Sequence, residues 1–234
     1  MKKKIDSKWE YLEVFDIYWN YIWLEERSEY YKKWKADTQI KRTIALILTP
    51  DWKIILQKRS KSKDVNSWMY DKSVWWHTMV FDWYRFAWSL EQELSDINMA
   101  KELIEELNIP SNIVSKHFFN DSLLFPIDRM AFLIKLERLM WYESERINKD
   151  WTKFIQPYIS ENYIWYYNWT IQFIDWEVSW LEYLTRDEIL EWMKKYPEMY
   201  TLDLKFMIER YYNYLLPIDD FVEKFSKDWS EFSF

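Results

Sequence analysis

Interleaved strand and helix patterns predict an α/β or α+β layered fold for this chain of 234 residues. Three observations carry that prediction. Short apolar runs are separated by turn dipeptides. Two helical segments open on capping-box signals. No internal repeat and no apolar stretch long enough to cross a bilayer points to another class.

The elements follow in chain order. Tyr11 to Ile17 and Tyr21 to Glu26 read as a hairpin around Trp19-Asn20. Thr43 to Leu48 and Lys53 to Lys58 read as strands joined by a turn at Asp51-Trp52, and Ser60 to Asp71 as a basic loop. Ser73 to Val80 is a further strand, interrupted at Trp75-Trp76. Ser89 to Leu107 is a helix: Ser89 with Gln92 forms a capping box, and Asn108 followed by Pro110 ends it. Ala131 to Leu136, Ile164 to Ile174 and Val178 to Leu184 are strands. Thr185 and Glu188 start a second helix that stops near Pro197, and Thr201 to Tyr214 is a third. One domain over residues 1–215, including an N-terminal hairpin at about 8–35, is followed by a polar-aromatic tail at 216–234.

Composition excludes several function classes. The net charge of −7 argues against a general nucleic-acid surface. The chain has no cysteine, which rules out disulfides, thiolate metal sites and Cys nucleophiles and fits a reducing cytoplasm. Met1 to Lys8 is basic without an apolar h-region, so neither a signal peptide nor membrane attachment is expected, and the expected location is cytoplasmic.

Glycine is absent, and tryptophan occurs 18 times. Roughly 7% of residues in a soluble domain are glycine, and tryptophan stands here at that frequency. The tryptophans also fall at turn positions. Asp51-Trp52, Asp82-Trp83, Asp150-Trp151, Asn168-Trp169, Asp175-Trp176 and Asp228-Trp229 have the form of Asp-Gly or Asn-Gly turns, which need positive φ. The expectation is that the Trp letters stand for Gly, as they would if a host that reads UGA as glycine were translated with another code table.

The sharpest chemical signal is Lys101-Glu102-Leu103-Ile104-Glu105-Glu106-Leu107-Asn108-Ile109. On a helix, Ile97, Ala100, Leu103, Ile104 and Leu107 share one face, and Glu102, Glu105 and Glu106 an arc of about 100° opposite. Three carboxylates so close either stay solvated or bind a cation, and hard divalent ions prefer oxygen ligands.

With Trp read as Gly, Ser73-Val74-Trp75-Trp76-His77 becomes a Gly-Gly strand end, and with the glutamate helix it resembles the Nudix hydrolase family. The family box is G-x5-E-x7-R-E-U-x-E-E-x-G-U. Trp76 matches its first Gly, Glu93 its first Glu, Glu102 the Glu after Arg, and Glu105 with Glu106 the Glu pair. Leu12 to Asp16 with Trp19-Asn20 and Trp23 resembles the opening of the isopentenyl-diphosphate-isomerase-like branch. Leu56-Gln57-Lys58-Arg59-Ser60, then Lys63, Trp68 and Asp71, resembles that branch's loop into the box, and Trp176-Glu177-Val178 its late strand. Three features depart from the pattern. Sixteen residues, 77 to 92, separate Trp76 from Glu93 where the family has five, an insertion of 11 that puts the role of Glu93 in doubt. Lys101 replaces Arg and loses its planar fork. Asn108 replaces the last Gly, a mild change because Asn tolerates the left-handed conformation.

The resemblance implies an α/β/α sandwich with a mixed central sheet and a glutamate-bearing helix. It implies Mg²⁺ (or Mn²⁺) held by Glu102, Glu105, Glu106 and the backbone carbonyl of Trp76, with Lys101 orienting the glutamates. Glu102 or Glu177 would act as the base, and Arg59 and Lys58 would meet substrate phosphates. The implied activity is hydrolysis of a diphosphate linkage in a nucleoside diphosphate derivative; a homodimer is compatible with it. A catalytically silent nucleotide- or protein-binding module is the alternative. Isopentenyl-diphosphate isomerisation is disfavoured, since that chemistry uses a Cys that this chain lacks and Asp37-Thr38-Gln39 stands where a His is expected.

Overall fold

The segment Thr38–Leu48 is buried at all eleven positions, and every other layer is built around it. Its Ile, Leu and Thr residues suit a pleated, doubly covered strand. A computed structural model describes residues 10–32, 37–49, 51–80, 91–114, 131–167, 171, 178–216, 220 and 223, with backbone alone at 91–93, 106, 112, 114, 131, 132, 165, 166 and 178. The described strands are β1 (Tyr11–Asp16), β2 (Tyr21–Glu26), β3 (Thr38–Leu48), β4 (Ile54–Arg59), β5 (Tyr70–Asp71), β6 (Val74–His77), β7 (Met79–Val80), β8 (Ser111–Val114), β9 (Ala131–Ile147), β10 (Lys153–Tyr166) and β11 (Val178–Leu184). The helices are α1 (Arg27–Lys32), α2 (Glu91–Leu107), α3 (Arg186–Lys195) and α4 (Leu202–Arg210).

The strands form one mixed sheet along the path β11-β4-β3-β10-β9-β8. On its other edge β3 meets β1 and β6 in turn, both antiparallel. The β3–β10 and β8–β9 pairs are parallel. The architecture is therefore a mixed α+β fold with helices on both faces. Successive residues of β10 show this, because side chains alternate along a strand. Ser160 accepts from Arg42, which reaches Asp203 on α4. Its neighbour Glu161 pairs with Lys135, which pairs with Asp96 on α2.

Several expected boundaries shift. β3 begins at Thr38 rather than Thr43. The break in the Ser73–Val80 segment falls at Thr78, and Trp75 and Trp76 are paired in β6 with Ile44 and Thr43. β9 extends to Ile147 rather than Leu136, β10 runs from Lys153 to Tyr166 rather than from Ile164, and the two form a hairpin through Asn148 and Trp151. Their inward positions Ser144, Arg146, Gln156 and Ser160 are buried yet polar, so the apolar alternation that announces a strand is missing. β8 was not anticipated. The third helix ends at Arg210 and passes into a short 3₁₀ turn at Tyr212–Tyr214. The capping box of α3 is formed, with Thr185 and Glu188 exchanging both bonds. Ser89, most of the 77–92 insertion, positions 168–170 and 172–174 of the strand expected at Ile164–Ile174, and nearly all of the tail lie outside the described residues.

Seven described residues take left-handed φ: Trp19 (72°), Trp52 (68°), Asn66 (50°), Trp68 (65°), Asn108 (55°), Trp141 (53°) and Trp151 (67°). Trp19, Trp52 and Trp151 are hairpin turns read from the sequence. Trp141 sits at a bulge where the pairing jumps from Tyr158–Tyr142 to Ser160–Leu139. A bulky residue held there costs about 1–3 kcal/mol, whereas glycine adopts the conformation freely.

A buried ionic cluster joins α4 to the sheet. Asp203 accepts from Arg42 at 2.8 Å, Lys72 at 3.0 Å, Tyr142 at 3.0 Å and Ser144 at 2.7 Å. Lys72 also reaches Asp71 at 3.0 Å, and Thr201, the N-cap of α4, donates to Asp71 at 2.8 Å. Burial opposes a charge on Asp203, but Arg42, Lys72 and Arg146 outweigh it and hold the carboxyl well below its usual range. A depressed carboxylate stabilises the fold above the unfolded value near 3.9 and stops doing so as pH falls through the folded value. Asp203→Asn is expected to cost about 3–5 kcal/mol in urea unfolding at pH 7. The gap from the parent protein should narrow on acidification below about pH 4.

Candidate functional site

The glutamate helix is clamped by a polar side chain. Asn98, fully buried on α2, accepts from the backbone N–H of Met79 at 3.1 Å and donates to the carbonyls of Met79 at 3.1 Å and Leu94 at 2.8 Å. Met99, Leu103 and Leu107 add the apolar contact. At the C-terminus, Asn108 turns left-handed while Ile109 N–H bonds back to the Leu103 carbonyl at 3.0 Å, which closes the helix.

This clamp sets a rotation different from the one the apolar periodicity implied. Ile97 and Ile104 are exposed, whereas Glu102 is only 2% exposed. Asn98 and Ser95 lie on the buried side of α2, so polar residues extend the inward arc to Glu102 and carry the two isoleucines outward. The three glutamates therefore do not share one solvated face. Glu105 is exposed, and the side chain of Glu106 lies outside the described residues.

Lys101 bridges two of them. Its Nζ donates to Glu102 Oε1 at 2.9 Å and Glu105 Oε2 at 2.8 Å. Burial pushes the Glu102 carboxyl up to about 7 against the pull of Lys101. Glu10 adds to that rise. Glu10 in turn pairs with Arg27 at 2.7 Å, and the Arg27 guanidinium lies 4.7 Å from the centre of the Trp76 ring. Glu102 thus belongs to the same corner of the molecule as Arg27 and Trp76.

Arg27 and Trp76 line a cavity of about 640 Å³ whose walls also carry Arg59, Lys63, His77, Arg146, Gln156 and Tyr158. Arg59 donates to the Val65 carbonyl at 3.1 Å and lies 3.7 Å from Asp71. Lys58 does not line this cavity: adjacent strand residues face opposite sides, and its ammonium rests over Trp68 and Tyr70, 4.5 and 4.7 Å from the ring centres. Lys58, expected to meet substrate phosphates, is thus placed away from this cavity, whereas Arg59 lines it. Glu177 lies outside the described residues. Among the described residues no three His, Asp or Glu side chains group as a metal site.

His77 was read from the sequence as a strand histidine. It is buried in the cavity wall, where Nε2 meets the Tyr31 hydroxyl at 2.6 Å. Burial, and then Arg27, Arg146, Arg42 and Arg59, push its imidazole well below its usual range, so it is neutral. Burial likewise keeps the Tyr31 proton in place, and the direction of the bond to Nε2 follows the imidazole tautomer. Arg27, Arg146, Gln156 and Tyr158 had no signal in the sequence. They come from α1 and the β9–β10 hairpin, and only the pairing of distant strands brings them together.

No protein-family model and no curated protein sequence matches the chain. Among solved structures, DR0079 of Deinococcus radiodurans aligns with a TM-score of 0.56 at 16% identity, over 86% of this chain and 98% of that one. At that identity the likeness is one of fold. The MutT protein of Methanosarcina mazei Go1 aligns with a TM-score of 0.44 at 14% identity, over 75% of this chain and 94% of that one. The NUDIX domain of Shewanella oneidensis NrtR, complexed with ADP ribose, aligns with a TM-score of 0.39 at 16% identity, over 82% and 100%. No described helix is long and apolar enough to cross a membrane.

Removing Lys101 leaves the buried Glu102 carboxylate without its ammonium. Because Lys101 is partly exposed, Lys101→Met is expected to cost about 1–3 kcal/mol rather than the full value for a buried pair. Lys101→Arg should recover most of it. Urea unfolding of the three proteins in EDTA checks both.

Proposed function

We propose that this chain is a metal-dependent hydrolase of the Nudix type that cleaves a diphosphate linkage in a nucleoside diphosphate derivative. The supporting observation is the position of Glu102: a buried carboxylate at the box position of the glutamate helix, felt by Glu10, whose partner Arg27 lines a cavity with further basic side chains. A carboxylate in that setting needs a cation, and Lys101 is the ammonium that meets it. The donors suit a hard ion. Glu102, Glu105, Glu106 and the Trp76 carbonyl would hold Mg²⁺ (or Mn²⁺), as oxygen ligands do.

When bound, the ion would neutralise phosphate charge and promote attack by water. Lys101 keeps Glu102 and Glu105 oriented towards each other through its two bonds. Arg59, held by Val65 and Asp71, meets the phosphates from the cavity wall. Glu102 or Glu177 takes the proton from the attacking water. Asn98 holds the helix against β7 so that these groups stay in place.

The reading is tested by product release from a panel of nucleotide sugars and dinucleotides. Mg²⁺-dependent release is expected, with complete loss in EDTA. Glu102→Gln and Glu106→Gln should each lower kcat by about 100-fold or more, the scale for removing a group that stabilises the transition state. Unchanged activity in Glu106→Gln would refute the metal assignment.

We also propose that the tryptophans stand where the native protein carries glycine. The left-handed backbone at Trp19, Trp52, Trp68, Trp141 and Trp151 supports this. Glycine at 75 and 76 would withdraw the two indoles over which Arg27, Arg59, Lys72 and Arg146 lie, and so enlarge the cavity towards those cations. Mass spectrometry of the protein from its native host is expected to show glycine at residue 52; tryptophan there overturns the idea.

A further inference from the structure

Four buried cations gather beside the cavity. Arg42, Arg59, Lys72 and Arg146 share the carboxylates of Asp71 and Asp203, and these six are the described members of the cluster. All six are buried. Arg146 sits at the weak end. Its Nη2 lies 3.7 Å from Asp203 and donates to the Tyr158 hydroxyl at 3.2 Å. Its Nη1 is buried with no hydrogen-bond partner. The Trp75 ring, 4.4 Å from the guanidinium carbon, covers a face of the group and does not satisfy an edge N–H.

A second buried nitrogen without a partner, His77 Nδ1, lies on the same wall. Buried N–H groups are almost always paired, so the Arg146 edge calls for an acceptor placed in the cavity. The cationic residues on the wall are Arg27, paired with Glu10 at 2.7 Å, Arg59, 3.7 Å from Asp71, Lys63 and Arg146.

We propose that Arg146, with His77 beside it, forms a second anion subsite: the ligand carries a phosphate or carboxylate in addition to the diphosphate that is cleaved. The inference rests on the diphosphatase reading for the identity of the scissile group, but not for the existence of the subsite. Arg59 approaches the cavity from the end of β4 and Lys63 from the segment after it, whereas Arg146 approaches from β9. The ligand is thus held at two anionic points, and the added anion supplies the acceptor that Arg146 Nη1 lacks.

Two matched pairs of probes separate the chemical sources: UDP-glucose with UDP-glucuronate for a carboxylate, and NAD⁺ with NADP⁺ for a phosphate. Calorimetric titration of the full chain in EDTA is expected to show one charged probe binding about tenfold tighter than its partner, or better, equivalent to about 1.4 kcal/mol. Arg146→Gln should reduce that preference to about twofold while leaving the affinity for the partner without the extra anion unchanged. If Arg146→Gln does not fold, Arg146→Lys keeps the charge but loses the guanidinium edge, and the preference should drop to about threefold or less. Equal binding within both pairs, no binding of any probe, or a preference that survives the Arg146 variants overturns the subsite. Hydrolysis of the same probes with Mg²⁺ is a separate readout. Cleavage without a charge preference sinks the subsite and spares the diphosphatase; a charge preference without cleavage does the reverse.

Discussion

The carboxylate of Asp203 is the interaction on which the molecule turns. It is buried on α4 and binds side chains from β3, β9 and the residue after β5. Asp203 therefore positions more than a helix. Arg42 and Lys72 meet on it, and Arg146, also close to it, lines the cavity. A hydrophobic residue at this position could fill the volume but would leave several buried cations without a counter-charge.

The two faces of the sheet divide the work. On one, α2 packs next to β6. On the other, α4 closes a polar layer that reaches Arg146 in the cavity wall, and Arg27 over Trp76 joins that wall to the corner of Glu102. The wall is built from segments far apart in the chain, with Arg27 from α1, Arg59 from β4, His77 from β6 and Arg146 from β9. Its chemistry depends on the order of strands in the sheet, and no local motif encodes it.

That division explains which parts were legible in the sequence. The first hairpin, the glutamate helix, the β11 strand and the capping box at Thr185 each have a local cause: a turn dipeptide, an acidic periodicity or a reciprocal cap. All were found close to their places. Where local rules failed, buried polar groups were responsible. Ser144, Arg146, Gln156 and Ser160 look like surface residues when read alone, so β9 and β10 were shortened. Asn98 and Glu102 look solvated, so the rotation of α2 was misjudged. The neighbours Lys58 and Arg59 could not be told apart until pairing with β11 and β5 fixed which one faces the cavity.

The clasp between Asn98 and the backbone of Met79 separates two properties that many active-site helices share. Its directional bonds fix the axial height and angular setting of α2, and dispersion contacts by Met99, Leu103 and Leu107 supply cohesion without direction. Conservative drift at those three apolar positions would erode stability well before it moved the glutamates. A lineage could then remodel its interior over long times with its chemistry intact, provided a single amide survived.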